Sequence, residues 1–177
     1  MSENREIKTT VPDKFNNDEE KKAYELVLEL GMEFERIDRT SEDENSEEVY
    51  ELLGTMHLKN LLLCNAQKTK FYLLVMPASV PFKSNVLSKQ LGTSRFSFAP
   101  EDILFELLGV RPGSASILGL HKDNEHKINL VFDERVLQNE FYCCYPCVNS
   151  ASLKFKTKDI LEKFLKYTGH FYSVVRM

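Results

Sequence analysis

Two apolar stretches, His57 to Cys64 (HLKNLLLC) and Lys70 to Met76 (KFYLLVM), stand five residues apart, joined by the polar connection NAQKT. Strand-length apolar runs this close read as a hairpin, which gives the chain a sheet to build on. Every other element must pack against that pair.

Before the hairpin, residues 18–30 (DEEKKAYELVLEL) place Ala23, Leu26, Leu28 and Leu30 among charges at helical spacing, with Gly31 as a stop. MEFERID then alternates like a strand, and a second helix is expected around SEEVYELLG. After the hairpin, Ser84 to Leu91 reads as a short helix ending at Gly92, and PEDILFELLG as a helix with an early Pro and acids in its first turn. ASILGL and HKINLVFD read as strands joined by the turn KDNE, DERVLQNE as a short helix or turn, and the cysteine region and SASLKFK as further strands. TKDILEKFLKYTG closes the pattern as an amphipathic helix with Thr157 as its N-cap.

Strands come in runs with helices interspersed, without strict βαβ repetition. This predicts a single α+β domain: a mixed, mostly antiparallel sheet flanked by helices. At 177 residues and 42% apolar the chain has enough material for one core. Residues 18–177 are expected to form it, and residues 1–17 a mobile tail. With no apolar run of membrane-spanning length and a charged start, the expected location is the cytoplasm, without membrane contact.

The net charge of −4 conceals an asymmetry. Residues 1–53 carry 17 acidic and 7 basic side chains, whereas the remainder carries 10 acidic and 16 basic. Such a balance suits a local phosphate contact and not a DNA-coating surface. The acidic run Glu42 to Glu48 is expected to be a solvated helix start or loop.

Familiar catalytic signatures are missing: no P-loop, no dinucleotide fingerprint, no HExxH and no nucleophile elbow. Cys144-Tyr-Pro-Cys147 has redox spacing, and Cys143 beside it raises zinc as an alternative. The alternating sequence after Cys147 is a poor helix start for a redox dithiol, and no second close Cys or His pair completes a zinc set. Lys59 shares an expected strand face with Leu61 and Leu63, so it either snorkels to solvent or supplies a fixed positive charge in a pocket. The loop GVRPGSASILGL from Gly109 to Leu120 is suited to presenting backbone amides, as an ordinary turn or as an anion cradle.

The strings KNLLL at Lys59, GVRPGSASILGL, DNEHKINLVFDE and YPCVNSASLKF, in this order and spacing, resemble the YbaK / prolyl-tRNA synthetase associated-domain family. Within it the likeness is to the free-standing prolyl-tRNA editing (ProX/PrdX-like) branch, over residues 18–170. The resemblance implies metal-independent hydrolysis, in trans, of the ester of a mischarged tRNA, with alanyl-tRNA(Pro) the usual substrate. It implies no cofactor, the tRNA acceptor end as partner, and prolyl-tRNA synthetase as a candidate second partner. Carried over, Lys59 is expected to face the terminal nucleotide, followed by Asn60. Gly113 with Ser114, Ala115 and Ser116 would line the aminoacyl site, and Tyr145, Asn149 and Ser150 would complete it. No His, Asp or Glu stands in these motifs, so a backbone carbonyl or the ribose hydroxyl is expected to activate the water. The chain departs from the family at Ile117, where Pro is common, and at Tyr145, where His is usual, while Ser150 replaces Thr. Two alternatives stay open: a tRNA-end binding module without turnover, and a thiol redox protein using Cys144 and Cys147.

Overall fold

The computed structural model describes residues 5–43 and 47–177. Helix α1 (Asp18–Glu29) is capped by Asn17, whose side chain accepts from the Glu20 amide, and it leads to strand β1 (Glu35–Asp38). A 3-10 turn (Ser41–Asp43) and α2 (Glu48–Leu53) follow. The expected hairpin is β2 (Leu58–Cys64) and β3 (Phe71–Pro77), antiparallel in the register Leu58↔Pro77 to Cys64↔Phe71. Next come α3 (Ser84–Leu91), β4 (Ser97–Phe98) and α4 (Glu101–Leu108). The second half holds β5 (Ile128–Asp133), α5 (Glu134–Gln138), β6 (Phe141–Cys144) and β7 (Ala151–Lys156). It ends with α6 (Thr157–Asp159), a π-helical segment (Ile160–Phe164), α7 (Leu165–Thr168) and β8 (Tyr172–Val175).

The architecture is α+β, with the strands divided between two sheets. One has the order β1-β7-β6 and is antiparallel throughout; the other, β4-β2-β3-β5-β8, is antiparallel around the hairpin and parallel at β3-β5 and β5-β8. Side-chain alternation explains the layering. Leu73 and Val75 of β3, Leu130 and Phe132 of β5, and Leu153 and Phe155 of β7 fill the main core between the sheets with Tyr24 and Val27 of α1. Tyr72, Leu74 and Met76 point the other way, into a second cluster covered by Leu87 of α3. A third cluster packs Val49, Tyr50 and Leu53 of α2 against Ile37 and Cys143.

Several expectations give way here. ASILGL is not a strand: Ile117–Lys122 forms a 3-10 helix whose N-cap, Ser116, accepts from the Leu118 amide. Residues 117–120 are all buried in succession, which a half-buried strand cannot achieve. Gly119 is required by closeness, since a Cβ there would lie 2.9 Å from the Leu108 carbonyl oxygen. Thr157 is not an N-cap but the first helical residue, buried, with its amide donating to the Glu140 carbonyl at 2.8 Å. Strand β8 has no clear signal in the sequence; it pairs in parallel with β5, and Val175 packs in the second cluster.

The described part of the expected tail is tied down. Lys8 pairs with Arg36, Arg36 Nε donates to the Thr10 carbonyl, and Val11 and Phe15 pack on the main core. In the acidic run, residues 44–46 lie outside the described residues, and Asp43 is not solvated: it is buried, accepts from the Thr40 amide at 2.7 Å and pairs with Arg5. Among the described residues no helix is long and apolar enough to cross a membrane.

Candidate functional site

The register of the three-stranded sheet gathers three chain segments at one end. Asp38, the last residue of β1, pairs with Ala151, the first of β7, and Cys144 at the end of β6 pairs with Leu153. The residues just beyond, Arg39 to Ser41 and Tyr145 to Ser150, therefore emerge side by side. Together with Asn16 and Gly113, residues Arg39, Tyr145, Asn149 and Ser150 line a cleft of about 580 Å³. That volume falls in the range of small-ligand sites, roughly 300–1,000 Å³.

Gly113 stands exposed at φ +83°, a left-handed conformation that suits the glycine of a Pro-Gly turn. The Ser114 amide is spent on closing the turn, donating to the Arg111 carbonyl at 3.0 Å. Gly113 and Ala115 carry amides without a partner among the described residues. Ser116 sits beneath the cleft, fully buried, and its hydroxyl donates to the Tyr145 carbonyl at 2.6 Å. Ser116 is thus a strut that locks the glycine loop to the Tyr145 segment. Ile117 is fully buried in the main core.

Sequence reasoning missed the cation of this cleft. Arg39 carries its guanidinium 5.3 Å from the Tyr145 ring centroid and 5.8 Å from that of Tyr50, and donates to Ser152 Oγ at 3.1 Å. Tyr50 stacks in turn on His57, with centroids 4.0 Å apart. Burial, with Tyr145 beside it, pushes the Tyr50 hydroxyl pKa up, so this ring stays neutral. Cation–π contacts of this kind contribute about 0.5–2 kcal/mol each and fix the ring planes. Arg39 follows β1 directly, and nothing in its local sequence distinguishes it from the other charges there.

Ser150 also has a partner that the motifs did not reveal. Its hydroxyl donates to Glu20 Oε1 at 2.6 Å, and Glu20 is 1% exposed in the first turn of α1. The only local signal was Asn17-x-x-Glu20, the spacing of a helix capping box.

Lys59 and Asn60 are not among the residues lining this cleft. Leu61 and Leu63 pack in the second cluster while Leu58 and Leu62 join the main core, so parity puts Lys59 on the former face and Asn60 on the latter. Lys59 Nζ donates to the Val80 carbonyl at 2.6 Å, and burial lowers its pKa. Its partner is neutral, and among the described residues no carboxylate pairs with the ammonium. Asn60 Oδ1 is buried without a partner among the described residues.

The cysteines do not assemble a redox centre. Cys144 points into the main core with Cys147, while its neighbour Cys143 faces the α2 cluster. All are free thiols, and burial pushes Cys143 up to about 12 and Cys144 and Cys147 higher still. A thiolate nucleophile needs the opposite environment.

The prolyl-tRNA editing protein ProX of Acetoanaerobium sticklandii is 28% identical over 120 residues, covering 68% of this chain and 73% of that protein. The prolyl-tRNA synthetase associated domain-containing protein 1 of Danio rerio is 32% identical over 114 residues, covering 63% of this chain and 61% of that protein. A solved structure of a protein proposed as a trans-editing enzyme for prolyl tRNA synthetase superposes with a TM-score of 0.67 at 12% identity, over 92% of this chain and 99% of that one, a likeness of fold. The family model of the aminoacyl-tRNA editing domain matches residues 40–163. Because that stretch is more than half of the sequence and includes both loops that wall the cleft, the chain belongs to the aminoacyl-tRNA editing domain family.

Proposed function

We propose that this protein hydrolyses, in trans, the ester linking a mis-attached amino acid to the end of tRNA, with alanyl-tRNA(Pro) as the foremost substrate. The observation that carries this reading is the shared cleft, where the glycine loop and the Tyr145–Ser150 segment meet around one small volume and are locked by the Ser116–Tyr145 hydrogen bond. A pocket built for proline cannot strongly exclude the smaller alanine, so a second, smaller sieve is the physical remedy.

In this reading the aminoacyl group enters the cleft between Tyr145, Asn149 and Ser150. The amides of Gly113 and Ala115 face the tetrahedral oxyanion, where a single preorganised donor contributes about 3–4 kcal/mol once water is excluded. Arg39, with its guanidinium over the Tyr145 ring, adds positive charge on the same side. Lys59 offers its ammonium, held by the neutral Val80 carbonyl, to a phosphate of the terminal nucleotide. Hydrolysis runs on protein and substrate groups alone, with a backbone carbonyl or the neighbouring ribose hydroxyl activating the water. Prolyl-tRNA synthetase is the natural source of the substrate and a candidate partner.

The experiment is incubation of the purified protein with alanyl-tRNA(Pro) and a panel of other mischarged tRNAs, with Lys59→Ala as control. Ester loss on at least one substrate, weakened by the substitution, is the expected result; an inert protein on every substrate overturns the reading. A second reading, capture of the tRNA end without turnover, is favoured by Tyr145 and Ile117, which depart from the family pattern. It predicts saturable tRNA binding with no deacylation, so the same incubation separates the two.

A further inference from the structure

We infer that Glu20 sets the hydrogen-bond polarity of Ser150 and thereby makes this wall of the cleft an acceptor for the α-ammonium group of the substrate. The inference rests on the deacylase reading and names the part of the substrate that this wall recognises.

Glu20 is a carboxylate 1% exposed, directly behind a wall of the cleft. Oε2 accepts from both the backbone amide and the side-chain Nδ2 of Asn16, the latter at 2.9 Å. Oε1 accepts from Ser150 Oγ at 2.6 Å. Asn16 and Ser150 both line the cleft. A hydroxyl has one proton, and that of Ser150 is committed to Glu20. What Ser150 can offer to the cleft is lone pairs only. An acceptor backed by a buried carboxylate suits a cationic donor, and an aminoacyl ester carries one: the ammonium on the carbon next to the reacting carbonyl. An acyl ester without nitrogen has nothing to give this wall. Glu20 acts through Ser150 and is a positioning residue; its position in α1 lies before residues 40–163, outside the stretch matched by the family.

Glu20→Gln inverts this arrangement while keeping the size and shape of the side chain. The two donors of Asn16 hold the amide oxygen on their side, so the new NH2 group turns to Ser150 and donates to its oxygen. The Ser150 proton must then swing toward the cleft, presenting a donor to a donor. The test compares hydrolysis of alanyl-tRNA(Pro) with that of propionyl-tRNA(Pro), identical except that hydrogen replaces the amino group. Spontaneous hydrolysis is subtracted, and kcat/KM for alanyl over propionyl is taken as one ratio. That ratio does not depend on the fraction of active protein, so a loss of stability alone leaves it unmoved. Glu20→Gln should lower the ratio about tenfold or more, the size expected when a hydrogen bond to a charged group is lost. Ser150→Ala should lower it by less, because it removes the acceptor without adding a repelling proton, and it decides the matter should Glu20→Gln fail to fold. A folded Glu20→Gln variant with the wild-type ratio, or an unmoved ratio in Ser150→Ala, overturns the inference while leaving deacylation intact. Wild-type protein inert on both esters overturns the deacylase reading and this inference with it.

Discussion

Lys59 and Ser150 are held by partners of opposite kinds. The lysine sits on the face of β2 that carries the second apolar cluster, with its ammonium against the neutral Val80 carbonyl and no carboxylate partner among the described residues. The serine sits in the wall of the cleft, with its only proton fixed by a buried carboxylate. A charge whose hydrogen-bond partner is neutral stays available for an incoming anion, although burial makes the charged form harder to keep. A fully committed proton instead fixes direction, so it can only discriminate. The first arrangement is suited to capture of a polyanionic substrate, the second to choice of what is attached to it.

The largest effect that can test this division is at Lys59. Lys59→Ala should lower kcat/KM for deacylation by up to about a hundredfold, the size of a lost hydrogen bond between charged groups, while the melting temperature stays close to wild type. Full activity would confine the chemistry to the cleft and reduce Lys59 to a tether for the Val80 loop. Arg39→Ala comes next, with an expected fall of about tenfold from loss of the cation and its stacking on Tyr145. Arg39→Lys should recover only part of this, because an ammonium cannot reproduce the two-ended donation of the guanidinium to Ser152 and the Asp43 carbonyl; complete rescue would show that charge alone matters.

A smaller effect concerns pH. Burial lowers the Lys59 pKa, so its positive charge is present at low pH and lost, as pH rises, earlier than for a solvated lysine. Affinity for tRNA should therefore weaken on the alkaline side below the ordinary lysine range, and Lys59→Arg should remove that limb. A limb that survives the arginine variant belongs to another group. The smallest effect expected is none: brief iodoacetamide treatment of the native protein should leave deacylation unchanged, because Cys143, Cys144 and Cys147 are buried with raised pKa values. Inactivation blocked by substrate would return a cysteine to the site.

The local patterns that were legible are those in which a residue's neighbours in sequence are also its neighbours in space. The β2-β3 hairpin and the helical stops at Gly31 and Gly92 belong here, as does the parity that separates Lys59 from Asn60. ASILGL was misread because its apolar run is buried on every side by Leu108 and the main core, a condition no local period encodes. Strand β8 was invisible for a related reason: it is largely exposed and depends on a parallel edge formed some forty residues earlier, at β5.

The site divides along the same line. Sequence by itself determined the family through ordered motifs, the loop able to expose amides at Gly113, and the segment Tyr145 to Ser150 that faces it. Tertiary structure alone decided that Ser116 is a strut, that Lys59 stands apart from the cleft, and that Arg39 and Glu20 belong to it. The reason is physical: motif spacing fixes which backbone can turn, but charge and proton direction depend on burial and on partners 130 residues away, as Glu20 is from Ser150. Those are set only when the two sheets close over a common core.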